Sequence, residues 1–272
     1  MIGKLYLVGT PIGNLGDLSP RAADTLEKVD FIAAEDTRVT VKLLNHLGLK
    51  KPMLSYYEHN KKERGGEIIE RLLSGQTCAL VTDAGMPAIS DPGEDMVKLA
   101  HENGIPVESV PGPSAVITAL AISGMPSGRF TFEGFLTMNK PGRRAHLAEL
   151  KTEKRTMIFY EAPHKLIATL KDMLDFLGDR EIALVRELTK IHEEVIHTTL
   201  SGALKTYSEK EPKGEFVIIV SGAKETEKTY TLEEAISLAR DFIEKGDSTS
   251  SAAKKAAEIT GLKKGDIYKG ML

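Results

Sequence analysis

The sequence predicts an α/β protein, built as two α/β domains followed by a small helical module. Three observations carry that expectation. Short runs rich in β-branched and apolar residues alternate with helical patterns, as βαβ units around a mainly parallel sheet require. The stretch 123–129, with Gly124, Pro126 and Gly128, interrupts the alternation and reads as an inter-domain linker. Past residue 222 the strand-like runs stop and only helical periodicity continues.

The first domain, 1–122, has strand patterns at 4–8, 31–34, 78–82 and 106–110, each followed by a turn rich in Gly, Pro or Asp. Between them, Ser19 is placed to cap a helix over 20–29 whose Pro20 sits at the first turn, where a missing N–H costs nothing. Val41, Leu44 and Leu47 form a helical stripe over 39–47, and 67–73, 93–102 and 115–122 supply further helices. The second domain, 123–223, shows strands at 156–160, 181–185 and 216–220, with a helix over 164–176. The module over 229–272 reads as helices at 232–243 and 250–259, broken by Gly246 and Asp247, with another start near Gly265.

Composition narrows the function classes. With 272 residues, 41% hydrophobic and 28% charged, the chain is globular rather than disordered or fibrous. No apolar run approaches the roughly 20 residues of a spanning helix. The N-terminal stretch reads as a strand rather than a signal peptide. The single Cys78 can form no internal disulfide, which suits a reducing cytoplasm. Scattered histidines predict no metal site. A formal charge of −3 neither demands nor excludes a nucleic-acid partner, since a local basic patch can act within an acidic whole.

Chemistry concentrates in loops that follow strands, where open α/β sheets bind ligands. Gly9, Gly13 and Gly16 punctuate the first such loop, but their spacing is neither a dinucleotide fingerprint nor a phosphate-cradling loop. The loop 82–93 spends Gly85, Pro87, Pro92 and Gly93 on backbone shape, and its only charges are Asp83 and Asp91. That suits a cationic or hydroxyl-rich ligand better than a phosphate, although Asp91 could equally cap the next helix. Pro111, Gly112, Pro113 and Ser114 repeat the design, with Ser114 placed to cap a helix, face a ligand, or both. Asp36 or Thr37 can cap the helix after the second strand, which leaves Glu35 and Arg38 without a structural reason. Tyr56, Tyr57 and His59 beside Lys61, Lys62 and Arg64 mix aromatic and basic groups as nucleic-acid sites do. Lys140, Arg143 and Arg144 open a second basic window.

Taken together, the segments 9–16, 35–38, 82–93, 111–116, 160–164, 186–190 and 214–220 resemble the tetrapyrrole methylase superfamily of S-adenosylmethionine-dependent enzymes. Residues 34–38 and 186–190 resemble the branch that methylates a cytidine ribose 2′-hydroxyl in 16S rRNA of the small ribosomal subunit. The resemblance implies two α/β domains with the cofactor in the cleft between them, and a homodimer. By motif it assigns the methionine and ribose parts of S-adenosylmethionine to Asp83, Gly85, Ala88 and Ile89. Pro11, Ile12, Ser114, Ala115 and Tyr160 would line the rest, and Leu184, Glu215 and Phe216 would reach the adenine. Met86 departs from the pattern, which favours a smaller polar residue there.

Ribose methylation depends on alignment and on a group that takes the hydroxyl proton. Glu35, Asp36, His59 and Glu187 are the candidate bases, with Arg38 and Arg186 as phosphate or alkoxide partners. The preferred set is Glu35 and Asp36 with Arg38. The alternative is a methyltransferase acting on a tetrapyrrole precursor, which would leave the basic windows idle. Within 249–272, Lys254, Lys255, Lys263, Lys264 and Lys269 face only Glu258 and Asp266, so a helix-turn-helix-like RNA contact is expected there.

Overall fold

The computed structural model describes residues 1–224 and 230–272. Residues 1–223 form one compact unit and residues 224–272 a second. Thr229, the expected first residue of the helical module, lies outside the described residues.

The first unit opens with five parallel strands: β1 (Leu5–Val8), β2 (Phe31–Ala34), β3 (Met53–Ser55), β4 (Cys78–Val81) and β5 (Val107–Val110). Their order is β3-β2-β4-β1-β5. Every residue of β2 and β4 is buried, as continuous apolar runs must be when crossover helices cover both faces of a sheet. Those helices are α1 (Pro20–Lys28), α2 (Thr37–His46), α3 (Lys61–Leu73), α4 (Gly93–Glu102) and α5 (Ala115–Ile122). The Ser19 hydroxyl caps α1 by accepting the Ala22 N–H at 3.1 Å, with Pro20 in the first turn. One core gathers Phe31, Ile68, Leu72 and Met96, and another gathers Leu26, Ile32, Leu44 and Val81. α3 starts ahead of the apolar stripe at 67–73. The Asn60 carboxamide accepts the Tyr57 N–H at 2.8 Å and donates to the Ser55 carbonyl at 3.0 Å, so the charged run 61–64 becomes the first turn of that helix.

The second sheet holds β6 (Phe130–Phe135), β7 (Thr156–Glu161), β8 (Glu181–Arg186), β9 (Glu194–Thr199) and β10 (Phe216–Val220), in the order β6-β7-β10-β8-β9. Only β6 and β7 run parallel; the other pairs are antiparallel. Helices α6 (Lys140–Glu149), α7 (Leu166–Leu177) and α8 (Leu200–Glu209) belong to this half. Phe159, Leu170, Met173, Leu184 and Ile218 fill one core. On the other face α5 crosses from the first half, and Val116, Ala119 and Leu120 pack on Ile158, Ala183, Val185 and Ile219. That packing brings the carboxyl ends of the first sheet's strands over the second sheet. At the opposite end of the second sheet, the buried Arg180 guanidinium donates to the carbonyls of Lys151 (2.6 Å), Leu177 (3.1 Å) and Ser221 (3.2 Å).

The second unit is three helices: α9 (Leu232–Glu244), α10 (Thr249–Thr260) and α11 (Lys264–Met271). Thr231 and Glu234 form a capping box at the start of α9, and Gly261 ends α10 in the left-handed region at φ 70°. Ala235, Ala239, Ala252, Ala253 and Ala256 are fully buried with Ile267. Small side chains at these positions let the three backbones approach closely.

Candidate active site

Three loops at the carboxyl ends of β1, β4 and β5 are tied into one wall. The Thr10 N–H donates to the Gly85 carbonyl at 2.9 Å and the Gly85 N–H returns to the Thr10 carbonyl at 3.1 Å. Gly9 lies against Gly112 so closely that a Cβ on Gly9 would sit 2.6 Å from the Gly112 Cα. Met86 fills the space beside them and its Sδ accepts the Gly112 N–H at 3.3 Å, so the long apolar side chain has a packing role. Ala88 (φ 68°) and Ser90 (φ 67°) lie in the left-handed region, an arrangement that side chains disfavour. Asp91 holds them there, accepting from the N–H groups of Ala88 (2.9 Å), Gly93 (2.8 Å) and Ile89 (3.3 Å). Pro92, not Asp91, occupies the cap position of α4, so Asp91 folds its own loop. Ser114 occupies the cap position of α5 without a side-chain cap bond.

The loop after β2 joins this wall through two carboxylates. Glu35 Oε2 accepts the Thr82 hydroxyl at 2.5 Å and the Asp83 N–H at 3.3 Å, while Asp83 Oδ1 accepts the Asp36 N–H at 3.0 Å. Burial, reinforced by the Glu35 charge, raises the Asp83 carboxyl above its ordinary range, and burial raises Asp91 as well. The wall therefore carries two carboxyl groups whose charged form burial disfavours.

A cavity of about 550 Å³ opens between this wall and the ends of β7, β8 and β10. Of the residues that the resemblance assigns to the cofactor, Ile12, Asp83, Gly85, Ile89 and Ser114 line it from the first half. Ala115 on α5 lines it too, and Tyr160, Glu215 and Phe216 close it from the second sheet. Pro11 and Ala88 adjoin lining residues in the chain but stand off the wall. Leu184 is fully buried in the core, because alternation along β8 turns its neighbour Val185 toward the cavity instead.

Among the candidate bases and their partners, Glu35 alone lines the cavity. Asp36 caps α2, accepting the Arg38 N–H at 2.8 Å, and its carboxylate pairs with the Arg38 guanidinium at 2.6 Å. The guanidinium and that N–H hold Asp36 down at about 2. Glu187 sits at φ 53° off the wall, accepting from Lys190 Nζ and the Glu215 N–H, each at 3.0 Å. Burial pushes Glu187 up, but those two donors outweigh it and the carboxyl lies below its ordinary range. Arg186 reaches Glu194 at 3.6 Å, and His59 is exposed beside the Tyr57 ring.

Several of the basic residues already have partners. Lys61 pairs with Glu58 (2.7 Å) and Asp95 (2.6 Å), and Arg64 pairs with Glu67 (2.5 Å). Arg143 (2.6 Å) and Arg144 (3.1 Å) hold the buried Asp172. Lys255 pairs with Asp247 at 2.7 Å, Lys254 lies 3.9 Å from Glu258, and Lys264 donates to the Ser250 hydroxyl at 3.0 Å. Lys62, Lys140 and Lys263 are exposed.

The cavity also takes in Phe135, Glu161 and His164, which sequence reasoning did not select as site residues. Their signal was available, since Glu161 and His164 follow a strand just as the chosen loops do. Glu161 is nearly fully buried, accepting the Thr169 hydroxyl at 2.5 Å and the Ala162 N–H at 2.9 Å. His164 is exposed at the mouth. Among the described residues no cluster of three or more His, Cys, Asp or Glu could hold a metal ion, and no helix is long and apolar enough to cross a membrane.

Residues 4–204 match the tetrapyrrole (corrin/porphyrin) methylases. The chain belongs to the tetrapyrrole methylase family. This methylase is similar to the ribosomal RNA small subunit methyltransferase I of Synechocystis sp., at 46% identity over 269 residues, 98% of this chain and 96% of that protein. A protein of the same name from Thermotoga maritima is 49% identical over 221 residues, which are 81% of this methylase but 99% of the relative. The fold is shared with uroporphyrin-III C-methyltransferase from Thermus thermophilus, solved in complex with S-adenyl homocysteine. That match has a TM-score of 0.56 at 19% identity and covers 80% of this methylase and 97% of that chain.

Proposed function

We propose that this methylase transfers a methyl group from S-adenosylmethionine to the 2′-hydroxyl of a cytidine ribose in 16S rRNA of the small ribosomal subunit. The observation that carries the reading is identity of 46% to a ribosomal RNA small subunit methyltransferase over 98% of the chain. A tetrapyrrole substrate draws support from the name of the matched family and from porphyrin and corrin methyltransferase structures at 19–22% identity, which share the fold.

The cavity fits the cofactor. Its volume of about 550 Å³ lies within the usual 300–1,000 Å³ of small-molecule sites. Asp83 and Asp91, both raised by burial, would gain from a ligand that carries an ammonium and a sulfonium. Asp83, Gly85, Ile89 and Ser114 would hold it from the first half, with Tyr160 and Phe216 opposite. When bound, the cofactor supplies a methyl group already activated by its sulfonium. The chain's own work is to place a ribose hydroxyl in line with it, exclude water, and accept one proton. Glu35 fits the last task. Its Oε2 is fixed by Thr82 and Asp83, while Oε1 accepts no hydrogen bond among the described residues. Asp36 and Glu187 are committed to Arg38 and Lys190 and serve less well. Glu35→Gln is expected to keep cofactor affinity while slowing methyl transfer by roughly 10²–10⁴-fold; normal turnover would move the base elsewhere.

Lys62, Lys140 and the lysines of the second unit would meet rRNA phosphates. Such a substrate places the work in the cytoplasm, where the buried thiol of Cys78 stays reduced. A homodimer fits α5, whose Ile117 and Ile122 remain exposed on an otherwise apolar helix. The deciding experiment maps 2′-O-methyl groups on rRNA from a strain lacking the gene, with and without the gene restored. One cytidine of 16S rRNA should lose and regain its methyl group, and an unchanged map would sink the reading.

A further inference from the structure

Phe135 ends β6 on the cavity wall with 55% of its surface exposed. Its position there depends on an irregularity in the strand. Pairing with β7 sets Phe130 opposite Thr156 and Phe132 opposite Ile158, then the register slips, so that Gly134 faces Phe159 and Phe135 faces Tyr160. Without the slip, alternation would put position 134 opposite Tyr160 and turn Phe135 toward the other face. The extra residue, Glu133, leaves the ladder and its carboxylate bonds His146 at 3.0 Å. Gly134 takes φ 63° with its Cα side against Ser90, where a Cβ would meet the hydroxyl at 3.1 Å. Bulges beside binding sites commonly re-aim a side chain in this way.

The bulge aims an aromatic ring at the cavity mouth. The Phe135 ring stands 5.4 Å from Tyr160 at 62°, and Tyr160 in turn stands 4.9 Å from Phe132 at 65°. One edge of Phe135 is thus fixed by a buttress of two rings. Across the mouth Ile89 is 50% exposed on the loop after β4 and also lines the cavity. Phe135 and Ile89 thus both present exposed apolar surface along the cavity lining, the kind of surface a flat apolar group can cover.

We infer that Phe135 is the stacking platform for the nucleobase whose ribose is methylated. The inference rests on the rRNA reading above and names how that substrate is held. A ribose hydroxyl can enter the cavity only if its nucleotide leaves its own stack, and extruded bases are received on aromatic side chains. The base stays at the mouth because it is attached to the ribose that goes in. Stacking tolerates any base, so Phe135 supplies affinity and orientation while sequence choice lies elsewhere.

The test uses the full chain and two readouts: affinity for a single-stranded, cytidine-containing oligoribonucleotide with S-adenosylhomocysteine present, and kcat/KM for methyl transfer to small subunits from the deletion strain. Because Phe135 is more than half exposed, its replacement removes little core. Phe135→Ala and Phe135→Leu are expected to lose roughly 10- to 100-fold in both, the scale of one base–aromatic stack. Phe135→Tyr and Phe135→Trp should stay within about threefold of wild type, because each keeps a ring for the base to stack on. Calorimetric affinity for S-adenosylhomocysteine should be unchanged in all four. Wild-type values for Phe135→Leu would show that the ring is not used and overturn the inference. A loss of S-adenosylhomocysteine affinity matching the loss of transfer would assign Phe135 to the cofactor and overturn it too. If the wild type left the subunits unmethylated while Phe135→Ala still lost oligonucleotide affinity, the rRNA ribose reading would fail and the platform would stand.

Discussion

Asp83 and Glu35 tie the loops after β2 and β4 together, at a cost to the charged form of Asp83. Asp83 has a folded pKa raised by burial and by Glu35. An acid with a raised folded pKa binds more protons in the native state, so its contribution to stability falls as pH climbs through that window. Asp83→Asn keeps an oxygen for the Asp36 N–H and removes the charge. It is therefore expected to melt at a higher temperature than wild type at pH 7. The gap should close near roughly pH 3, where carboxyls are protonated in both states. Its affinity for S-adenosylhomocysteine should fall by roughly 10- to 100-fold, as losing a charged partner implies. Thermal melts at two pH values and calorimetry check both halves, and an unchanged affinity would remove Asp83 from the cofactor site. The place of Asp83 on the cavity wall was legible from the sequence because a loop so rich in Gly and Pro leaves few side chains to do chemistry. Which of Glu35 and Asp36 faces the cavity was not legible: they are neighbours in sequence, and only the structure shows Asp36 turned to Arg38 and the helix cap while Glu35 lines the cavity.

Helix α6 shows how an element can be hidden by its own charges. Lys140, Pro141, Gly142, Arg143 and Arg144 read as a basic window, yet they begin a helix whose Arg143 and Arg144 clamp Asp172 on α7. Asp172 is only 3% exposed, and its partner is about thirty residues away, beyond any local pattern. Asp172→Asn would strand a guanidinium that is 13% exposed and should destabilise the protein by about 3 kcal/mol, seen as a lower Tm. A change within a few tenths would mean that water already reaches the pair. Strands β3, β6 and β9 escaped notice for different reasons. β3 is three residues long, and β9 is an edge strand whose Glu194, His197 and flanking threonines blur the alternation. The buried strands β2, β4, β7 and β10 were legible because continuous apolar runs have few other uses. The β6 bulge was not, since one glycine between two phenylalanines gives no sign of a slipped register.

At the scale of the whole chain, the matched share of the Thermotoga relative, 81% of this sequence, is close to that of residues 1–223. A protein ending at residue 223 is expected to unfold cooperatively and to bind S-adenosylhomocysteine as the full chain does. Loss of either property would tie the second unit to the fold of the first. Lys254→Gln with Lys263→Gln in the full chain should weaken small-subunit binding and flatten its salt dependence, leaving the cofactor untouched. The cavity was legible only through the family resemblance and not from any local pattern, because it exists only where α5 carries one sheet's loops over the other sheet. The strand order 3-2-4-1-5 of the first sheet also sets a timetable. Both hydrogen-bonded neighbours of β1, Cys78–Val81 and Val107–Val110, come much later in the chain than β1 itself. At about 5–20 residues per second, Leu5–Val8 waits on the order of 4–14 s on the ribosome before its first edge can be satisfied and longer for the second. A nascent chain stopped at residue 77 should leave the β1 amides open to hydrogen exchange, and one carried through residue 122 should protect them.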